Sequence, residues 1–298
     1  MLRLRLATRA SRLALWQARQ TAALLRCSWP RLHITIVPVQ STGDRDRETP
    51  LYRMGATGVF CKEVHLAVLA GEADAGVHSC KDLPTAPPDG ITLAAVLRRA
   101  DPRDALIGAA GLDALPRKAV VGSSSLRRRL LLAALRPDLR FVDLRGNVGT
   151  RLAAVHEGRV DATLLAAAGL RRLDDWRSSG AVALHPSHEL IPAPAQGAIA
   201  VDCRSDDSAA RRLLAAIEHR PSRVAVAIER AVLAGLHGGC SLPLGCHVRR
   251  YGRLLWECHA ALADEDGGLR QSHHIGRTGE LAHRVLADLR KGQDAAGD

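Results

Sequence analysis

Two strand–loop–helix junctions follow one another in Val120–Arg151, VVGSSSLRRRLLLAALRPDLRFVDLRGNVGTR, and no other stretch restricts the fold of this chain as much. The apolar run Ala119–Val121 reads as a short buried strand, after which Gly122-Ser123-Ser124-Ser125 turns into a helix with Arg127 and Arg128 in its first turn. Leu139–Leu144 reads as the next strand, and Arg145-Gly146-Asn147 turns into a helix holding Thr150 and Arg151. Each loop is built to hold an anion, because a helix N-terminus presents unpaired N–H groups and about half a positive charge. Arginine at that end opposes the helix dipole and does little for helix stability, whereas its planar fork suits a carboxylate or phosphate. Serine caps and solvated arginines would account for one such junction. Two in succession, with four arginines between them, point to a polyanionic small-molecule ligand.

The same alternation of strand-like and helix-like segments runs through the whole chain and predicts an α/β fold. Leu2–Ala7 alternates with period two, and Ser11 is placed to cap a helix running to about Leu25. His33–Val39 is the next strand. The Gly-rich loop Gly55-Ala56-Thr57-Gly58 leads into a helix over Val59–Ala70, and Ala75–His78 and Ile91–Leu97 are further strands. Between them Pro84, Pro87 and Pro88 keep the chain extended. Ala162–Leu165 and Ala198–Cys203 read as strands; Gly169–Trp176, a segment ending near Glu218, and Ser222–Leu236 read as helices. The last part carries strands around Leu254–Leu262 and a helix near Glu280–Leu289. Arg98–Asp104 and Ile191–Gly197, polar or proline-bearing, look like crossings between domains. No sequence repeat is visible.

The 298 residues suffice for two or three domains, and 47% hydrophobic with 24% charged residues is a globular composition. Aromatics make up 3%, so the core must rest on Leu, Ala and Val. A net charge of +11 raises nucleic acid as a partner, but that reading requires basic runs with interleaved aromatics, and the longest basic run, Arg127–Arg129, has no aromatic near it. A cleft that collects a multiply charged acid uses the same excess charge. The seven cysteines form neither a CxxC pair nor a zinc spacing, so no metal is expected and a reducing compartment is. No apolar run approaches the roughly 18 residues of a membrane helix, and MLRLRLATRASR lacks the apolar core of a secretory signal. The expectation is a cytoplasmic protein without a membrane or nucleic-acid partner.

Two further motifs carry chemistry. His78-Ser79-Cys80-Lys81-Asp82-Leu83-Pro84 follows a short strand, where open α/β sheets place their ligands, and sets a carboxylate beside a lysine. His237-Gly238-Gly239-Cys240-Ser241 puts a cysteine in a glycine-rich loop after a helix, where the backbone can approach a bulky partner. Alone, the first is compatible with a solvated turn and the second with a buried thiol near a helix cap.

Taken together, TRASRLALWQ, GVFCKE, HSCKDLP, ADPRDALI, VGSSSLRR, DLRGNVGTR, LAAAGLRRL, APAQGAIAVDCR and HGGCSLPLG resemble, in order, the motifs of the porphobilinogen deaminases, also called hydroxymethylbilane synthases. The likeness runs from about Leu4 to Val248. It implies three domains: 1–98 with 198–218, then 101–195, these two resembling the lobes of periplasmic binding proteins with a hinge, and a smaller α+β domain over 220–298. It implies a dipyrromethane cofactor attached by a thioether to Cys240, onto which porphobilinogen units are condensed with loss of ammonia. By position, Asp82 resembles the essential aspartate. Lys81, Ser125, Arg127, Arg128, Arg145 and Arg151 resemble the contacts to cofactor and substrate carboxylates, and Arg9 and Ser11 those to incoming substrate. Arg53, Ser79, Ser123, Ser124, Gly146, Arg172 and Gln196 complete the implied binding set. The family expectation is a monomer.

Three departures stand out. Thr57 occupies a place where the family usually has lysine, with Arg53 four positions earlier. Cys80 stands where methionine is common. Ala195 stands where glycine is common, which matters if the backbone there needs positive φ.

Overall fold

The protein is described by a computed structural model over residues 2–40, 60–236, 242–264 and 267–291. The chain opens with strand β1 (Arg3–Arg9), helix α1 (Arg12–Ser28), β2 (His33–Val39), α2 (Lys62–Leu69), β3 (Ala75–Ser79) and β4 (Ile91–Val96). Next come β5 (Asp104–Ile107), β6 (Val120–Gly122), α3 (Leu126–Leu135), β7 (Arg140–Val142), α4 (Val148–His156), β8 (Ala162–Ala166), α5 (Ala167–Arg172) and β9 (Val182–Ala183). The last part holds β10 (Ile199–Arg204), α6 (Ser208–Ala215), α7 (Arg220–Gly235), β11 (Leu244–Tyr251), β12 (Leu255–Ala263), β13 (Leu269–Gly276) and α8 (Thr278–Arg290). This is an α/β protein. No described helix is long and apolar enough to cross a membrane.

Two compact units are present. One comprises the described residues up to Ala100 with Gly197–Arg223, the other Asp101–Gln196 with the described residues from Val224 onward. In the first unit the sheet order is β2-β1-β3-β10-β4, with β1 parallel to β2 and β3 and with β10 antiparallel to both of its neighbours. Leu4 and Leu6 alternate inward from β1 and meet Ala18, Ala22 and Leu25 of α1, so the period-two and helical patterns seal one core. Ser11 caps α1 by accepting from Ala14 N at 3.3 Å.

The five-stranded sheet of the second unit runs β7-β6-β8-β5-β9, with β6 parallel to β7 and β8 and with β5 antiparallel to both of its neighbours. This is the first sheet's plan repeated without a sequence repeat. Gly122, at the end of β6, is needed for close packing, because a Cβ there would lie 2.7 Å from Leu144 Cδ2. A separate antiparallel sheet, β11-β12-β13, covers its own core with α7 and α8 through Val232, Leu244, Cys258 and Leu281. Ala261 and Ala263 on its other face join the core that holds Leu106, Val121 and Leu164. We propose a lobe over 101–195 and a C-terminal domain over 220–298 on the ground that each has its own sheet.

Several elements differ from the sequence reading. β5 begins inside the polar run read as a crossing, because its first residue is a fully buried aspartate, Asp104. Residues 80–82 form a 3-10 turn before the extended, proline-bearing stretch. The strands read around Leu254–Leu262 reach further on both sides, as β11, β12 and β13, and the two-residue β9 has no counterpart in the sequence reading. Ala195 has φ of 63° and is buried, so the family's usual glycine is replaced at a position that does require the left-handed region. That conformation costs an alanine roughly 1–2 kcal/mol. Its N–H is held at 2.6 Å by the buried Glu229 carboxylate, which also accepts from Val248 N at 2.7 Å.

Candidate active site

In the first unit the chemistry lies at the carboxyl ends of the neighbouring parallel strands β1 and β3, where α/β sheets present their loops. Arg9 ends β1, and its guanidinium lies 4.2 Å above the Phe60 ring, a cation–π contact that fixes its direction. The half-buried Ser11 spends its oxygen on the α1 cap. Thr8 Oγ1 donates to Val77 O at 3.0 Å and ties the two strand ends together. Ser79 ends β3 and accepts from Gln17 Nε2 at 2.9 Å. The 3-10 turn then carries Lys81 and Asp82, both half-buried. Its frame is fixed by Cys80 N donating to Ala198 O at 3.0 Å and by the Cys61 thiol donating to Asp82 O at 3.9 Å. The Asp82 carboxylate itself has no hydrogen-bond or ion-pair partner among the described residues.

Beneath this turn sits a cluster that the sequence did not reveal. His65 Nε2 and His78 Nε2 both reach Asp202 Oδ2, at 2.8 and 3.0 Å, and all three side chains are buried. Burial alone would raise the Asp202 pKa. The charge of His78 and hydrogen bonds from both imidazoles outweigh burial and hold it at about 2. His78 immediately precedes Ser79, so the cluster anchors the strand from which Asp82 is presented.

In the second unit the organising residue is Asp104. Arg127 Nη1 meets Asp104 Oδ2 at 2.8 Å; Arg128 donates to Oδ1 from Nε at 2.9 Å and from Nη2 at 2.7 Å. Gln196 Nε2 donates to the same oxygen at 3.2 Å and to Pro102 O at 2.8 Å. Burial pushes the Asp104 pKa up, but the two guanidinium charges prevail and hold it well below the usual carboxylate range. Arg127 and Arg128, read from the sequence as ligand contacts, are therefore also buried members of an internal ion cluster. They still leave two positive charges against one negative, and Nε and Nη2 of Arg127 take no part in these bonds.

The serine loop divides its labour. Ser125 caps α3 by accepting from Arg128 N at 3.5 Å, and Ser123 Oγ accepts from Ser125 N at 3.2 Å. Ser124 is buried and its hydroxyl has no hydrogen-bond partner among the described residues. At the next junction Asn147 caps α4, and Gly146 adopts φ of 109° where a Cβ would strike Thr150 at 2.8 Å. Arg151 donates to Gly146 O at 3.0 Å. Burial, then the charges of Arg128 and Arg145, push its pKa down to about 10, and no carboxylate pairs with it among the described residues. Arg172, on α5, is buried, and burial lowers it to about 10 as well.

The sequence-derived residues thus form one set in each unit: Arg9, Ser11, Ser79, Lys81 and Asp82 in the first, and Ser123–Ser125, Arg127, Arg128, Arg145, Gly146, Arg151, Arg172 and Gln196 in the second. Arg53, Thr57 and Cys240 lie outside the described residues. Sequence reasoning missed Asp104, Gln17 and the His65–His78–Asp202 cluster. An acid directly before an apolar strand, as in PRDALI, was the available signal for Asp104.

Among known proteins, a family described as "Porphobilinogen deaminase, dipyromethane cofactor binding domain" matches residues 4–212. The chain belongs to the porphobilinogen deaminase family. Similar solved structures include YhfZ from Shigella flexneri, 16% identical over 78% of this chain and 96% of that one with a TM-score of 0.39. The methionine-binding protein MetQ is 11% identical over 72% and 88%, with a TM-score of 0.42. A TRAP periplasmic solute-binding protein from Desulfovibrio salexigens, with bound orotic acid, is 11% identical over 72% and 75%, with a TM-score of 0.37.

The family's dipyrromethane carries carboxylates on each ring, and the second unit fits such a group. Among the described residues it holds more buried guanidinium charge than carboxylate, a half-buried Arg151 with no acid partner, and a buried Ser124 hydroxyl with no hydrogen-bond partner. A buried cation and a buried hydroxyl each lose free energy unless a partner arrives. Multiple carboxylates are the partners these groups lack.

Proposed function

We propose that this chain condenses four porphobilinogen units head to tail, each with loss of ammonia, onto a dipyrromethane joined by a thioether to Cys240, and then releases linear hydroxymethylbilane by hydrolysis. The observation that carries this reading is the Asp82 carboxylate, half-buried in the 3-10 turn that follows β3 and unspent by any partner among the described residues. When bound, the dipyrromethane supplies a pyrrole carbon from which the product chain is extended.

The chain's own residues supply the rest. Ammonia leaves the substrate with the electron pair of its C–N bond, so positive charge appears on the substrate pyrrole. Forming the new C–C bond leaves a proton to be removed. Asp82, facing pyrrole N–H groups, holds the positive charge in both situations and accepts the proton. Lys81, the free donors of Arg127, and Arg128, Arg145 and Arg151 hold carboxylates that accumulate at two per ring, with Ser124 as a neutral donor. Ser125 and Ser123 act through the backbone they fix. Arg9, aimed by Phe60, and Ser11 receive the incoming unit, and Arg172 and Gln196 keep the second set in place. Arg53 is a further basic contact. The reading requires a porphobilinogen substrate and no metal or nucleic acid, and it places the protein in the cytoplasm as a monomer.

Incubating the purified protein with porphobilinogen tests this directly. The expected result is consumption of about four substrates per linear tetrapyrrole released. Tight binding of porphobilinogen without turnover would instead support a polyanion-binding relative, the reading that Thr57 favours.

A further inference from the structure

The C-terminal sheet carries a histidine row that the proposed reaction does not use. Antiparallel register sets His247 of β11 opposite His259 of β12, and His259 opposite His273 of β13, so all three lie on one face. Glu257 lies two residues before His259 and shares that face. Further along, the same face is apolar and joins the core through Ala261 and Ala263, so the histidine end is where the face leaves the core. The opposite face is spent on α7 and α8.

At this end the His259 and His273 rings stack with centroids 4.1 Å apart and planes 9° from parallel. His259 Nε2 lies 3.2 Å and His273 Nε2 3.0 Å from a single oxygen, Glu257 Oε1. All three donor atoms lie within 4.8 Å of one another. Tetrahedral zinc with bonds near 2.0–2.1 Å sets its ligand atoms roughly 3.3 Å apart, close to the two histidine–carboxylate distances already present, and a turn of the exposed His273 ring out of the stack brings both imidazole lone pairs onto one ion. Arg249 occupies the other oxygen, Glu257 Oε2, and leaves Oε1 to the histidines. The side chain of His273 is 53% exposed, which gives an ion a path from solvent.

We propose that Glu257, His259 and His273 form a binding site for a divalent transition ion of the zinc class, with solvent completing its coordination. Two imidazoles and a carboxylate are donors that suit zinc and do not suit calcium or magnesium. Each ligand binds the ion in its deprotonated form, and any proton it carries is released to solvent on binding. Arg249 is the opposing cation; its side chain is 62% exposed and free to turn outward. No cysteine is required, so the site is distinct from any thiol at position 240.

Calorimetric titration of the full-length protein with zinc chloride at neutral pH tests the site. The expected result is one saturable ion per chain, weakened at least tenfold by His273→Ala and equally by His259→Gln, and unchanged by His33→Ala on an exposed strand of the first unit. His273 is exposed, so its replacement leaves the fold intact, and unchanged thermal unfolding of the apo variant checks this. Absence of saturable binding, or binding that survives both substitutions, overturns the proposal. Cobalt(II) bound at the same stoichiometry should show no thiolate charge-transfer band; such a band would place the ion on cysteine and also overturn it.

Discussion

The two five-stranded sheets share one strand order and one pattern of strand directions, yet they treat a carboxylate in opposite ways. In the first, Asp82 stands half-buried at a strand end with no partner among the described residues, and the buried acid nearby, Asp202, is neutralised by histidines. In the second, Asp104 is fully buried and consumed by Arg127, Arg128 and Gln196, and guanidinium charge is left over. Topology fixes where the loops appear; the balance of charge around one acid then decides what each loop can do. In the proposed reaction the first set stabilises positive charge and moves a proton, and the second holds negative groups. A polymerising reaction on a polycarboxylate needs both.

The comparison breaks most visibly at Asp82. Asp82→Asn should lower kcat by roughly 10²–10⁴-fold, the range for losing a general acid–base group, with little change in KM. Its folding free energy should stay within about 0.5 kcal/mol of the parent, since no internal bond is lost. A variant with near-normal kcat and a raised KM would make Asp82 a binding residue only.

Asp104→Ala should do the reverse. It strands two buried guanidinium groups, a situation that costs about 3–5 kcal/mol. Urea unfolding measures this loss; a change below about 1 kcal/mol would mean that the Arg127 and Arg128 charges are solvated after all.

A smaller effect distinguishes the histidine-paired acid of the first unit. The Asp202 pKa is lowered from its ordinary value of 3.8 to about 2 in the folded protein, so it stabilises the fold above about pH 4. That contribution, on the order of 2 kcal/mol, is lost as pH falls from about 4 toward 2. The stability gap between the parent and Asp202→Asn should therefore narrow by that amount between pH 5 and pH 2. A gap independent of pH would show that Asp202 is not held ionised by its histidines.

Much of this was legible from residue patterns. Ser11, the period-two run of β1 and the strand His33–Val39 are local signals, and the structure follows them closely. The family assignment rested on long motifs and is supported over residues 4–212. What stayed hidden depends on contacts distant in sequence. Asp104 looked like part of a polar linker because its partners lie at 127, 128 and 196. For the same reason the arginines read as ligand contacts alone, with no sign that Arg127 and Arg128 also hold an internal acid. His65, His78 and Asp202 come from three separate elements, and no spacing announces them. The repeated sheet plan was invisible because a fold can recur without its residues recurring.

The central claim is that this chain carries its growing product on Cys240, and the intact mass of the purified protein tests it most directly. The account predicts a mass above that of the sequence by one dipyrromethane, mapped by peptide analysis to Cys240 and not to Cys246, and absent from a catalytically dead Cys240→Ser variant. Active protein with an unmodified Cys240 would contradict it.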